Sequence, residues 1–180
     1  NEIHINSKIQ AETCVIIPTY NNQKTLQRII DGVLNYTQNI IIVNDGSTDA
    51  TAEILKGYPH LHVVTQPANA GKGKALQRGF EYALSKGYQY AITLDSDGQH
   101  KASDLPAFIE KLKDHPKAII VGARNMGQTD VPGTSSFGHK FSNFWFKLET
   151  GIELPDTQTG FRVYPLTHIK NIKLFTTKFE

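Results

Sequence analysis

Two aspartates one residue apart, Asp95 and Asp97, follow the apolar residues Ile92 to Leu94 in the stretch ITLDSDGQH. Carboxylates that close repel one another unless water or a cation stands between them. If the extended backbone persisted past the strand, residues i and i+2 would direct both side chains to one face. Such a pair suits a hard divalent ion, and the amide oxygen of Gln99 adds another oxygen ligand. Gly98 lets the backbone turn sharply between them. The competing reading is an Asp-rich turn ahead of the next helix; the buried strand in front favours metal. His100 reads either as an outer donor to that site or as a plain surface histidine.

Asp45 holds a comparable place in VNDGSTDAT (43–51). Gly46, Ser47 and Thr48 read as a strand-to-helix turn, in which nothing calls for a carboxylate at 45. Its acceptor oxygens suit the N–H groups of a nucleotide base. NAGKGKALQRG (69–79) misses both phosphate-loop spacings, because Gln66, Ala68 and Leu76 stand where glycines would be needed. It remains a glycine-rich helix entrance whose Lys72 and Lys74 can approach a diphosphate. In DTQTGFRVY (156–164), Arg162 either pairs with a carboxylate such as Asp156 or clamps a phosphate. His60 and His62 lack a third ligand nearby and read as ordinary.

These residues need elements to position them. TCVIIP (13–18), NIIIV (39–43), LHVVTQ (61–66), YAITL (90–94) and AIIVGA (118–123) read as buried strands. Helices are expected over 22–34, from a cap at Ser47, Thr48 or Asp49 through Leu55, over 74–85, and from Asp104 to Leu112 with Pro106 in its first turn. Phe137, Phe141, Phe144, Trp145 and Leu148 recur at helical spacing, with His139, Lys140 and Lys147 interleaved. That segment reads as a core helix ahead of a lipid-facing surface. The stretch 125–136 reads as a polar loop. The alternation implies an α/β fold with a mainly parallel, doubly wound nucleotide-binding sheet. Ligands then belong at the carboxyl ends of the strands, where strand order reverses.

With 180 residues, 39% hydrophobic and 20% charged, the chain reads as one catalytic domain over 1–180. A net charge of +2 calls for no polyanion, so no nucleic-acid partner is expected. The single cysteine, Cys14, reads as a buried reduced thiol in a cytoplasmic protein. No apolar run reaches the roughly 18 residues that cross a bilayer. The start at Asn1 and the ending TTKFE suggest a fragment truncated at its carboxyl end, with membrane anchors to be sought in flanking segments.

Taken together, IIPTYNN, IIVNDGSTD, NAGKGKAL, LDSDGQH, VGARN and DTQTGFRVY resemble the family 2 glycosyltransferases, inverting enzymes of the GT-A, Rossmann-like fold. DSDGQH and TGFR look most like the branch of dolichyl-phosphate mannose synthases and polyprenyl-phosphate glycosyltransferases. The resemblance implies a nucleoside-diphosphate sugar donor, Mg2+ or Mn2+, and a lipid-phosphate or saccharide acceptor. It also implies peripheral contact with the inner face of the membrane and a place in cell-envelope glycan synthesis. Pro18, Tyr20 and Asp45 would line the base and ribose pocket, with Asn22 beside them where many members carry an acid. Asp95 would face the ribose or diphosphate and share the metal with Asp97 and Gln99. Lys74 would approach the diphosphate, and Arg124 and Arg162 would face phosphates or the acceptor. Asp156 would be the general base if the acceptor is a hydroxyl. UDP and GDP remain equal alternatives.

Two other readings compete. A strand followed by D-x-D-G also resembles haloacid-dehalogenase phosphatases, but those place threonine after the glycine and need a later acidic pair. A non-catalytic nucleotide-sugar-binding module would keep the fold and bind donor without turnover.

Overall fold

The computed structural model describes residues 2–124, 144–149 and 161–169, with side chains for 7–122 and 161–168. Its strands are β1 (Thr13–Thr19), β2 (Ile40–Asn44), β3 (His62–Thr65), β4 (Tyr90–Thr93), β5 (Ile119–Arg124), β6 (Phe144–Glu149) and β7 (Arg162–Pro165). The helices are α1 (Glu2–Ala11), α2 (Leu26–Leu34), α3 (Thr51–Lys56), α4 (Lys72–Ser85), α5 (Leu105–Asp114) and α6 (Leu166–Ile169).

Strands β1 and β2 are apolar along their whole length because both faces of the sheet are covered. Val15, Ile17, Ile40 and Ile42 pack against α2, α3 and α5 through Leu26, Ile30, Leu55 and Phe108. Their alternates, Cys14, Ile16, Ile41 and Val43, pack against α4 through Ala75, Phe80 and Ala83. The period of two along each strand thus divides one apolar run between two cores. Cys14 is fully buried, and that burial, opposed only weakly by a backbone hydrogen bond, pushes its thiol up to about 12. It is an inert packing residue.

The seven strands run in the order β3-β2-β1-β4-β7-β5-β6. The first four are mutually parallel, while β7 is antiparallel to both β4 and β5. The expected parallel, doubly wound sheet is present, with an antiparallel strand inserted from late in the chain. Phe161 explains the insertion. It is fully buried, with its ring 4.3 Å from that of Phe108 on α5, and it carries Arg162 into the sheet directly behind it.

One expected element is different. Residues 144–149 form β6, paired antiparallel with β5, instead of continuing a helix. In FWFKLE, Phe144, Phe146 and Leu148 also alternate at a period of two, and aromatic residues favour strands. The open edge of β5 gives that run a partner, which decides between the two periods. Phe137, His139, Lys140 and Phe141 lie outside the described residues. Helix α3 also starts later than expected, at Thr51, because Ser47 and Thr48 are engaged elsewhere.

Candidate functional site

The strand order reverses between β1 and β4, and there the chain opens a cleft of about 370 Å3. Pro18 and Tyr20 enter it from the end of β1, Asp45 from beyond β2, and Asp95 and Asp97 from beyond β4; Lys72 enters from the first turn of α4. Another cavity, of about 250 Å3, lies among Val15, Tyr36, Leu105 and Ile109, where no pair of carboxylates converges.

The Asp95–Asp97 turn is built around the residue between them. β4 ends at Thr93, so the extended geometry does not persist, yet both aspartates line the cleft. Ser96, between them, is buried at the floor of the same cleft. Its hydroxyl donates to the Pro18 carbonyl at 2.9 Å and accepts from Asn22 Nδ2 at 2.6 Å. Thr25 Oγ1 donates to the Ser96 carbonyl. The turn is therefore fastened to the end of β1 and the start of α2. Gly98 has φ +84°, the left-handed conformation that the sharp turn requires.

Asp97 is exposed and accepts from the Gln99 backbone N–H at 2.9 Å, while Asp95 Oδ2 accepts from Lys72 Nζ at 2.7 Å. Gln99 is exposed and stands beside the cleft, not among its lining residues. Among the described residues no three His, Cys, Asp or Glu side chains cluster as a metal site. The two carboxylates that line the cleft are nevertheless hard oxygen donors. They leave positions for diphosphate oxygens and water, which is how Mg2+ is usually held. The donor chemistry fits a divalent ion.

Asp45 requires a correction, since its turn does call for a carboxylate. The side chain is 3% exposed and accepts at Oδ1 from Gln66 Nε2 and the Ala70 N–H, and at Oδ2 from the Gly71 N–H. Gly46 permits this approach, because a Cβ there would lie 2.4 Å from the Ala68 backbone. Asp45 thus ties down the loop that starts α4. A carboxylate offers about four acceptor positions, so one remains on Oδ2 toward the cleft.

The two lysines of the glycine-rich helix entrance are placed differently. Lys74, expected to approach the diphosphate, is exposed, hydrogen-bonds Gln77 and stands outside the cleft, whereas Lys72 lies inside it. Two residues span about 200° of helix, so both lysines cannot face one side. Arg162 is 4% exposed, opposite Thr93 in the β4–β7 pairing, and is not among the cleft's lining residues. Arg124 ends β5, and its side chain, like Asp156, lies outside the described residues. His100 is half-buried, with its ring 5.3 Å from Phe161, and His62 pairs with the Tyr82 hydroxyl.

Sequence reasoning missed a clasp between the first two loops. Asn21, at φ +52°, accepts the Thr48 N–H at 2.8 Å and the Asp49 N–H at 3.3 Å. Gln23 N–H donates to Asp49 Oδ2 at 3.1 Å, and Gln23 Oε1 accepts from the Ala50 N–H at 3.0 Å. The signal was the tolerance of asparagine for positive φ just after a strand.

Residues 14–172 match the family described as Glycosyl transferase family 2. The chain is 35% identical over 178 residues to the Dolichyl-phosphate beta-glucosyltransferase ALG5A of Trichomonas vaginalis, covering 88% of this chain and 54% of that protein. It is 28% identical over 176 residues to the UDP-N-acetylglucosamine--dolichyl-phosphate N-acetylglucosaminyltransferase of Methanococcus voltae, covering 87% of this chain and 70% of that one. The chain spans about half the length of the Trichomonas relatives. Among solved structures, S. aureus TarS 1-349 superposes with a TM-score of 0.58 at 20% identity, over 88% of this chain and 48% of that one. At that identity the likeness concerns the fold, which is GT-A. Enzymes of this family and fold generally use a divalent metal. No described helix is long and apolar enough to cross a membrane.

Proposed function

The chain belongs to glycosyl transferase family 2, and from that premise we propose that its cleft binds a nucleoside-diphosphate sugar and directs the sugar, with inversion, onto a polyprenyl phosphate. The observation that carries this reading is one cleft shared by Pro18, Tyr20 and Asp45 on one side and Asp95 and Asp97 on the other. The ring of Tyr20 and the face of Pro18 suit a base, and the remaining acceptor position of Asp45 suits a base N–H. Asn22 stands beside them and holds the aspartate turn through Ser96.

Asp95, Asp97 and Gln99 are the residues that would hold Mg2+ or Mn2+. A bound divalent ion supplies Lewis-acid stabilisation of the charge that gathers on a departing diphosphate. The carboxylates alone would repel that diphosphate, so positive charge must come with the donor or from the chain. The N-terminal end of α4 faces the cleft at Gly71 and Lys72 and contributes partial positive charge there.

The lipid-phosphate acceptor draws support from the names of the relatives. A phosphate is already ionised near neutral pH and needs no general base, so Asp156 orients neighbours instead of taking a proton. Arg162 and Arg124 are the arginines we assign to phosphate groups, since a guanidinium can bind phosphate oxygens bidentately. Residues 1–180 act as one catalytic domain at the cytoplasmic membrane surface in this reading.

Calorimetry with UDP and with GDP, in Mn2+ or in EDTA, tests the donor site. EDTA, and separately Asp97→Ala, is expected to weaken the bound nucleotide at least tenfold; equal affinity under all conditions refutes the metal role. Acceptor choice is read by offering polyprenyl phosphate and simple saccharides to the wild-type chain, and the need for a base by repeating the assay with Asp156→Asn. If that variant is dead and saccharides accept where lipid phosphate does not, the protein extends saccharides and Asp156 is its base.

A further inference from the structure

We propose that Lys72 is an exchangeable counter-ion, alternating between Asp95 and the donor's diphosphate and yielding Asp95 to a divalent cation. The inference rests on the reading that Asp95 and Asp97 hold that cation. Lys72 Nζ lies 2.7 Å from Asp95 Oδ2, and the two side chains are 39% and 17% exposed. The pair is thus open enough to separate but dry enough to matter.

The backbone beneath Lys72 is fixed while its side chain is not. Asp45 binds the N–H groups of Ala70 and Gly71, the two residues immediately before it. Four methylenes then give the ammonium a reach that its Cα does not share. An ammonium and a divalent cation on one carboxylate would repel each other strongly at contact distance, so the arrival of one displaces the other. The displaced ammonium stays in the cleft, beside the N-terminal end of the 14-residue α4, where a diphosphate is the matching anion. Cation and diphosphate would then assist one another. The cation frees Lys72 for the diphosphate, and the diphosphate holds Lys72 away from the cation's ligand. Lys74 cannot substitute, because it points away and pairs with Gln77.

The test compares the wild-type chain with Lys72→Met and Lys72→Arg. Water-proton relaxation measures Mn2+ binding without nucleotide, and calorimetry measures UDP and GDP with Mn2+ present. Removing the competing ammonium should tighten Mn2+ alone about three- to fivefold, the scale of a half-exposed ion pair. The same Lys72→Met change should weaken the nucleotide about tenfold, the scale of one charge-assisted hydrogen bond. Lys72→Arg keeps the charge and should leave Mn2+ affinity near wild type. Unchanged or weaker Mn2+ binding by Lys72→Met overturns the exchange, as does undiminished nucleotide affinity. If Mn2+ binds none of the three proteins, even with nucleotide present, the metal reading itself fails and this inference falls with it.

Discussion

Asp45 and Asp95 follow β2 and β4, the two strands that flank β1, and line the same cleft, but they are held by different kinds of donor. Asp45 is 3% exposed and bound by two backbone N–H groups and the Gln66 amide. The Asp95 side chain is 17% exposed and bound by one lysine ammonium. Backbone donors move only if the loop unfolds, whereas an ammonium on a flexible stem can leave. A carboxylate at a strand's carboxyl end is therefore structural or available according to what bonds it, and its position alone does not decide. Asp97, exposed and bonded to the Gln99 N–H of its own turn, stands at the available extreme.

The largest expected effect separates these classes directly. Asp45→Ala leaves buried donors from Gln66, Ala70 and Gly71 without their acceptor and should cost about 3 kcal/mol of stability. Asp97→Ala should stay within about 0.5 kcal/mol of wild type, as surface changes usually do. Urea unfolding of both variants measures this. Equal stabilities would erase the distinction, and nucleotide affinity could then be compared at the two sites as if both were ligand contacts.

Ser96 provides an intermediate case, since it is the built-in residue between two available ones. Ser96→Ala removes the bond to the Pro18 carbonyl and the acceptor of Asn22. We expect a loss of about 1–1.5 kcal/mol. Nucleotide binding in Mn2+ should weaken as well, because Asp95 and Asp97 lose the fastening of their turn. A variant that loses stability but binds nucleotide normally would show that the turn needs no anchor to present its carboxylates.

The parts of this arrangement legible in the sequence are those fixed by local pattern. Val15 to Ile17 and Ile40 to Ile42 could only be strands buried on both faces, and polar residues directly beyond them had to meet at the sheet's carboxyl edge. The rest depended on contacts between distant segments. Nothing in TGFRVY reveals that β7 enters the sheet antiparallel between β4 and β5; the Phe161–Phe108 packing does. FWFKLE fits two periods, and the open edge of β5 chooses one. Asp45 looked available because its donors lie 21 to 26 residues away. The choice of Lys72 over Lys74 needed the start of α4 to within one residue, which composition does not define.

Asp49 gives the smallest effect and the finest test of how donors decide a carboxylate's role. It sits on the rim, where Thr51 N–H donates to Oδ1 at 2.9 Å and Gln23 N–H donates to Oδ2 at 3.1 Å. Slight desolvation raises its carboxyl, but the hydrogen bonds from Thr51 and Gln23 together outweigh it and hold the group below the ordinary aspartate value. A lowered folded value means that the ionised form favours the native state. That contribution is complete above the unfolded value of about 3.9 and is lost as pH falls through the folded one. Asp49→Asn has no such titration, so the stability gap between wild type and variant should be steady from pH 7 to pH 5 and shrink below pH 4. Solvent screening at this exposed rim keeps the gap small. Urea midpoints taken across that range would show it, and a gap that stays constant down to pH 3 would mean that the clasp between the first two loops draws nothing from the charge of Asp49.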